Sequence, residues 1–203
     1  YVPVVFVMVF VAGCRKRHLA AIILLGASLV PLAWMQLEPY QRDRVKTFVD
    51  PTKAPDNEGY QIIQTKIAVG SGEMWGKGVG QGTQTHLRFL PEYRTDFIFS
   101  LLAEERGFVG GVILLALFAG FLIRGLVLSE ECREPAGNLL AAGCVAILAF
   151  HVFVNVAITI HLMPITGLPL PFLSYGGSFY LTTMMCVGTM LSVNVRKGMF
   201  AEK

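Results

Sequence analysis

Asp96 stands where a polar stretch becomes apolar, in Arg94-Thr95-Asp96-Phe97-Ile98-Phe99. Two roles fit a carboxylate there. In the first, Thr95 or Asp96 caps the helix that follows, its oxygen taking an orphan N–H and its charge meeting the positive end of the helix dipole. In the second, Phe97 and Phe99 partly desolvate the carboxylate, which disfavours its charged form and makes it a stronger base. Glu104 and Glu105 come about two turns later; they either pair with Arg106 or Arg94 or face solvent. Lys66, Lys77, Arg88, Arg94 and Arg106 lie in the same region. Such cations suit phosphate oxygens, guanidinium in bidentate fashion, and they equally suit anionic lipid headgroups.

The glycine-rich run Gly70-Ser71-Gly72-Glu73-Met74-Trp75-Gly76-Lys77-Gly78-Val79-Gly80-Gln81-Gly82 invites a phosphate-loop reading that its spacing excludes. A P-loop needs Gly five residues before the Gly-Lys pair and Ser or Thr after it, whereas Ser71 and Gly78 hold those places. No dinucleotide G-x-G-x-x-G is present either. What remains is a sharply folded loop using positive φ, or bare backbone that lets a large substrate approach. His86 and His161 are too isolated to suggest a metal site. His151 and Asn155 share a helix face inside an apolar run, which predicts hydrogen bonding between helices. None of the four cysteines, Cys14, Cys132, Cys144 and Cys186, forms a C-x-x-C pair, and all read as packing residues.

These residues are carried by an apolar framework. The chain of 203 residues is 54% hydrophobic and 15% charged, below the roughly 25% usual for a globular domain. Asp, Glu, Lys and Arg are missing from 19–37, 107–123 and 135–195. Runs of about 18 or more apolar residues read as membrane spans, and the last run accommodates two with an uncharged turn between them. The apolar stretch 1–13 is shorter and precedes its basic cluster, the reverse of a signal peptide, so it reads as a span cut at its outer end. The expectation is an all-α polytopic membrane protein. About four full transmembrane helices, roughly 18–36, 106–125, 137–160 and 178–195, follow a truncated first one at 1–13. The basic cluster Arg15-Lys16-Arg17 puts its loop in the cytoplasm, which makes loop 37–105 extracytoplasmic. The net charge of +3 gives no ground for nucleic acid.

Loop 37–105 is much longer than an ordinary connection. It carries enough apolar side chains to pack, among them Ile62, Ile63, Ile67, Trp75 and Phe89. Gly59 to Ile67 predicts a short amphipathic helix lying along the membrane surface. The second loop, 161–177, is uncharged and crowded with Pro164, Gly167, Pro169, Pro171, Gly176 and Gly177, which exclude a regular helix. Irregular backbone at membrane depth survives when it is buried in protein or lines a wet cavity, so this loop is expected to dip inward. Ser174, Tyr175 and Ser178 either hydrogen-bond a substrate or satisfy the loop's own backbone.

The run from Gly59 to Gly72, then Trp75-Gly76-Lys77-Gly78, Gln81-Gly82-Thr83-Gln84, Phe89-Leu90-Pro91-Glu92 and Thr95-Asp96-Phe97-Ile98-Phe99, resembles the SEDS family, whose members shape, elongate and divide bacterial cells. So does Pro164-Ile165-Thr166-Gly167-Leu168-Pro169-Leu170-Pro171-Phe172-Leu173-Ser174-Tyr175-Gly176-Gly177-Ser178. The likeness spans nearly the whole chain and corresponds to the second half of the family's multi-span fold. The Thr166-Gly167 pair is similar to the elongation member RodA, where division-type FtsW proteins tend to carry Lys-Gly. Arg94 stands where the family usually has His.

The resemblance implies a peptidoglycan glycosyltransferase at the bacterial inner membrane that polymerises lipid II, with Asp96 as its essential carboxylate. It makes Lys66, Lys77, Glu92, Arg94, Thr95, Ser174, Tyr175 and Ser178 the candidates for substrate binding, with Lys66 and Lys77 favoured for the departing diphosphate. A divalent cation, Mg or Mn, is compatible with that task, although no ligand spacing marks one. The implied partner is a class B penicillin-binding protein, the transpeptidase that cross-links new strands. The rival readings are a division-type member and a flippase that moves the lipid-linked precursor without making a bond.

Overall fold

The computed structural model describes residues 2–50, 58–86, 89, 94–132 and 134–200. All regular structure among them is helical: α1 (Val2–Val11), α2 (Lys16–Gln36), α3 (Pro39–Val49), α4 (Glu58–Ser71), α5 (Thr83–His86), α6 (Ile98–Glu130), α7 (Pro135–Thr159) and α8 (Gly177–Phe200). Among the described residues, α6, α7 and the Gly177–Val195 part of α8 are long and apolar enough to cross a membrane. The chain is thus a multi-pass membrane protein, as its charge-free runs imply. The long polar connection is more ordered than its composition alone conveys, since it holds α3, α4, α5 and the opening turns of α6.

Those opening turns place the start of α6 eight residues before the expected span. The reason is a break at Gly107, whose φ of 66° and ψ of −165° are not helical. A break of this kind strips two backbone hydrogen bonds from the helix and exposes four groups that need partners. The glycine-rich segment supplies all four. Lys77 N donates to Glu104 O (3.0 Å) and Gly78 N to Glu105 O (3.1 Å), while Phe108 N and Val109 N donate to Glu73 O (2.8 Å) and Met74 O (3.2 Å). Such backbone-to-backbone crossing leaves no room for side chains: a Cβ on Gly76 would strike the Glu105 carbonyl, and one on Gly107 would strike Gly76 N. Both glycines also have positive φ. The membrane-crossing part of α6 therefore begins after Gly107, and the short helix before it belongs with the polar connection.

The ends of the other helices follow from local chemistry. Pro39 opens α3 at the position where its missing N–H costs nothing, and Gln41 Oε1 accepts from Glu38 N at 3.2 Å. Along α4, Gly59, Ile62, Thr65 and Ala68 repeat every three residues and are buried, while Ile63, Lys66 and Ile67 are exposed. That is the amphipathic pattern expected of this segment. α7 ends in a Schellman turn: Leu162 N donates to Ala157 O (2.7 Å) and His161 N to Ile158 O (3.0 Å), with His161 at φ 60° in the place glycine usually takes.

The chain divides into two units. One comprises Tyr1–Gln36, Ala119–Phe150 and Ser178–Lys203. Its core is Ala141, Val145 and Met190, with Phe121, Leu122, Cys144 and Val193 against them. Small residues bring these helices close: a Cβ on Gly125 would meet Val145 and Met190, and one on Gly143 would meet Met8. The other unit comprises Leu37–Phe118 and His151–Gly177. Its core is Phe118, Val152 and Leu170, with Ile98 and Leu114 packed on it. Leu170 comes from the uncharged loop, and its complete burial contributes about 1.5–3 kcal/mol to holding that loop in place. Phe172 stacks on Phe118 at 6.5 Å between centroids.

Candidate active site

Asp96 lies two residues before α6. Phe97, not Thr95 or Asp96, is the residue whose carbonyl accepts the first helical bond, from Leu101 N at 3.3 Å. Phe97 and Phe99 are buried, and Ser100, fully buried, closes the first turn through Oγ to Phe97 O at 2.6 Å. Asp96 itself is half-buried beside them. The start of α6 is thus anchored from inside, and the carboxylate stands at its rim.

Three consecutive backbone carbonyls here bond to residues far along the chain. Arg94 O accepts from Tyr175 N at 2.8 Å, Thr95 O from Ser174 Oγ at 2.6 Å, and Asp96 O from Asn155 Nδ2 at 2.8 Å. The uncharged loop is held by the same groups. Asn155 Nδ2 also donates to Leu168 O (2.9 Å), Ser174 Oγ accepts from Leu170 N (2.7 Å), and His151 Nδ1 lies 3.2 Å from Pro169 O. His151 and Asn155 therefore serve irregular backbone rather than another helix, contrary to the expectation from their spacing. The reason is that a proline-rich loop cannot pair its own carbonyls, so buried donors must reach them. Gly167, at φ 66°, faces the carboxylate: a Cβ there would sit 3.5 Å from Asp96 Oδ2.

A second cluster locks the glycine-rich segment. Glu104 is fully buried. Its Oε1 takes Lys77 Nζ at 3.1 Å, Gln84 N at 3.0 Å and Thr83 Oγ1 at 3.2 Å, while Lys77 Nζ donates to Thr83 Oγ1 at 2.8 Å. Glu105 Oε1 accepts from Gly80 N at 2.9 Å. Neither glutamate pairs with Arg106 in these bonds; both tie loop to helix instead.

Around the turn after α7, the His161 ring lies 4.9 Å from Phe48 of α3. Burial first, and then the nearby Lys66 ammonium, push its imidazole below the ordinary histidine value, against a backbone hydrogen bond with Phe48 that acts the other way. Next to it, α3 and the loop enclose an open groove of about 430 Å³, lined by Leu37, Tyr40, Gln41, Arg44, Val45, Pro164, Ile165 and Thr166. This lining combines apolar Leu37, Val45, Pro164 and Ile165 with the Arg44 guanidinium, the Tyr40 phenol, the Gln41 amide and the Thr166 hydroxyl. Thr166 in the groove is the chain neighbour of Gly167, which faces Asp96.

The structure thus gathers Asp96, Thr95, Arg94, Ser174 and Tyr175 into one strip. In that strip the Ser174 hydroxyl is spent on backbone, while Tyr175 is 79% exposed. Lys66 is exposed on α4. Lys77 is engaged with Glu104. Ser178 lies in the other unit at the start of α8, its carbonyl accepting from Thr182 Oγ1 at 3.0 Å. Glu92 and Arg88 fall outside the described residues. Among the described residues, no three of His, Cys, Asp and Glu cluster as metal ligands. Arg44, Tyr40 and Gln41 were not singled out by sequence; their polar α3 carries no signal beyond ordinary surface charge.

Comparison with known proteins decides the family. The FTSW_RODA_SPOVE family model, described as a cell cycle protein, matches residues 1–198. The chain belongs to the FtsW/RodA/SpoVE family. It is similar to the peptidoglycan glycosyltransferase MrdB of Escherichia coli (strain K12), 41% identical over 196 residues, covering 96% of this chain and 53% of that protein. It is also similar to the peptidoglycan glycosyltransferase RodA of Treponema pallidum (strain Nichols), 46% identical over 172 residues, covering 85% and 39%. Stage V sporulation protein E of Bacillus subtilis (strain 168) is 40% identical over 188 residues, covering 93% and 51%. The chain spans about half the length of the curated relatives it matches. Its fold matches a chain of a peptidoglycan synthase complex whose structure concerns the coordination of polymerization and crosslinking. The TM-score is 0.77 at 36% identity, over 97% of this chain and 54% of that one.

Proposed function

We propose that the chain forms the site of a peptidoglycan glycosyltransferase that polymerises lipid II on the outer face of the bacterial inner membrane, with Asp96 as general base. The observation that carries this reading is the position of the carboxylate. It is half-buried at the start of the short helix that leads into a span, on a strip pinned at three consecutive carbonyls, and it faces the bare backbone of Gly167. Such a carboxylate is fixed, partly desolvated and open on one side, as a base for a bulky sugar must be.

The reaction joins an acceptor hydroxyl to the anomeric carbon of a donor sugar. As the new C–O bond forms, the bond from that carbon to the lipid diphosphate breaks. The hydroxyl proton passes to Asp96 and the electron pair leaves with the diphosphate. Cations near the leaving group stabilise its charge. Lys66 and Arg94 are exposed for that role, and Arg44 adds a guanidinium to a groove whose lining also includes apolar Leu37, Val45, Pro164 and Ile165, a mixture that suits a lipid-linked diphosphate. Lys77 acts at one remove, through Glu104, by holding the glycine-rich segment. Mg or Mn carried by the diphosphate would share the charge.

The likeness of the Thr166-Gly167 pair to RodA supports a role in elongation, and the kinship with chains named for polymerising and cross-linking complexes supports a class B penicillin-binding protein as partner. In full-length protein given lipid II and that transpeptidase, Asp96→Ala is expected to abolish glycan strands while leaving the protein folded and membrane-inserted. Strand formation by Asp96→Ala at the wild-type rate would refute the assignment. Depletion in cells should turn rods into spheres; filaments with blocked septa would instead indicate the division role.

A further inference from the structure

Asn155 sits in the last full turns of α7 with no solvent exposure. Both hydrogens of its amide are committed: one to the carbonyl of Asp96 at 2.8 Å, the other to the carbonyl of Leu168 at 2.9 Å. Leu168 follows Gly167, the residue over which Asp96 Oδ2 lies. One planar side chain therefore joins the backbone that carries the carboxylate to the backbone that the carboxylate faces. Its support is rigid. Thr159 Oγ1 donates to the Asn155 backbone carbonyl at 2.9 Å, and His151, one turn earlier on the same face, reaches Pro169 O at 3.2 Å. Val154 and Ile158, its neighbours on α7, are buried as well.

A primary amide does this without carrying a charge. Two N–H groups in a fixed plane bridge two acceptors, which a hydroxyl or a carboxylate cannot do. A carboxylate would also set its charge against two carbonyl oxygens. The Oδ1 atom of Asn155 is buried without a hydrogen-bond partner, a cost the protein bears to keep both donors on the two carbonyls.

We propose that Asn155 is a positioning residue for the reaction: it sets the distance and angle between the Asp96 carboxylate and the Gly167 edge of the loop. The proposal rests on Asp96 being the base. Without the bridge the two segments stay tied only through Tyr175 N and Ser174 Oγ, at residues before Asp96, the carboxylate shifts against the Gly167 edge, and a displacement of about 1 Å at a reacting group costs on the order of 100-fold in rate. Substrate contacts elsewhere are untouched, so the loss falls on kcat and not on KM.

The test is a double-mutant cycle in the full-length protein with its transpeptidase, using Asn155→Ala and Asp96→Glu, with initial rates of lipid II polymerisation. Asn155→Ala alone should lower kcat by about 100-fold with KM within about twofold. In the Asp96→Glu background, where the carboxylate is already displaced, the same change should cost less than about threefold, because the two residues act as one unit. A loss of equal size in both backgrounds, or a kcat within twofold of wild type for Asn155→Ala, overturns the proposal. If Asn155→Ala fails to fold, the uncharged, nearly isosteric Asn155→Leu runs the same cycle with the same criteria. Hydrogen exchange separates the two levels of the argument. Amides at 95–98, 167, 168 and 170 should exchange faster in the Asn155 variants, and unchanged protection there sinks the bridge whatever happens to activity. Faster exchange together with full activity of Asp96→Ala would refute the base and leave the bridge.

Discussion

Lys77 and Glu104 make an asymmetric pair, and the asymmetry has measurable consequences. Glu104 is fully buried, whereas the Lys77 side chain keeps 29% of its exposure. Lys77→Met removes the cation and leaves a buried carboxylate facing the neutral donors Thr83 and Gln84, which should cost about 3–5 kcal/mol. Glu104→Gln keeps an oxygen for those two donors, and the freed ammonium turns toward water. Its cost should be about 1.5 kcal/mol, at the low end for a hydrogen bond to a charged group. The double variant Lys77→Met/Glu104→Gln has no buried charge left and should lie within about 1 kcal/mol of wild type. The coupling between the two sites then exceeds about 2 kcal/mol. The assay is equilibrium unfolding of the four proteins in lipid nanodiscs, with hydrogen exchange at Lys77 and Gly78, whose amides bond Glu104 O and Glu105 O. Additive single effects, within about 0.5 kcal/mol, would refute the argument, as would a larger cost for Glu104→Gln than for Lys77→Met. Either result would mean that water reaches the pair and the glycine-rich segment is held by its backbone bonds alone.

Two further outcomes follow from the same unit. Gly167→Ala places a methyl 3.5 Å from Asp96 Oδ2 at a residue with φ 66°; it should lower stability by about 1–2 kcal/mol and cut polymerisation further than that loss explains, read from unfolding and initial rates on one preparation. His161 has a depressed pKa in the folded protein because of burial and Lys66, so its contribution to stability is complete above the unfolded value of about 6.5 and is lost as pH falls through the lower folded value. His161→Phe, which keeps a ring against Phe48, should flatten unfolding curves below about pH 6.5; an unchanged pH dependence would show that His161 is not the titrating group.

Much of the architecture was legible because a membrane imposes one-dimensional rules. A helix that crosses lipid must satisfy its own backbone and show apolar side chains on all sides, and both demands are written in consecutive residues. The charge-free runs therefore located α6, α7 and α8, and the amphipathic stretch from Gly59 to Ile67 located α4. Asp96 was legible as a candidate because a lone carboxylate at a polar-to-apolar border is rare, and family motifs surround it. Tertiary structure decided the partners. That Gly107 breaks α6, and that residues 73–78 repair the break, depends on two segments thirty residues apart meeting backbone to backbone. That His151 and Asn155 serve a loop rather than a helix depends on where the loop's unpaired carbonyls come to rest. Lys77 looked like a phosphate ligand in the sequence, and its nearest anion in the fold is Glu104. Burial is local and periodic, so a single chain of letters records it. Hydrogen-bond partners of side chains at long sequence separation are set by packing in three dimensions, and only the folded molecule contains that information.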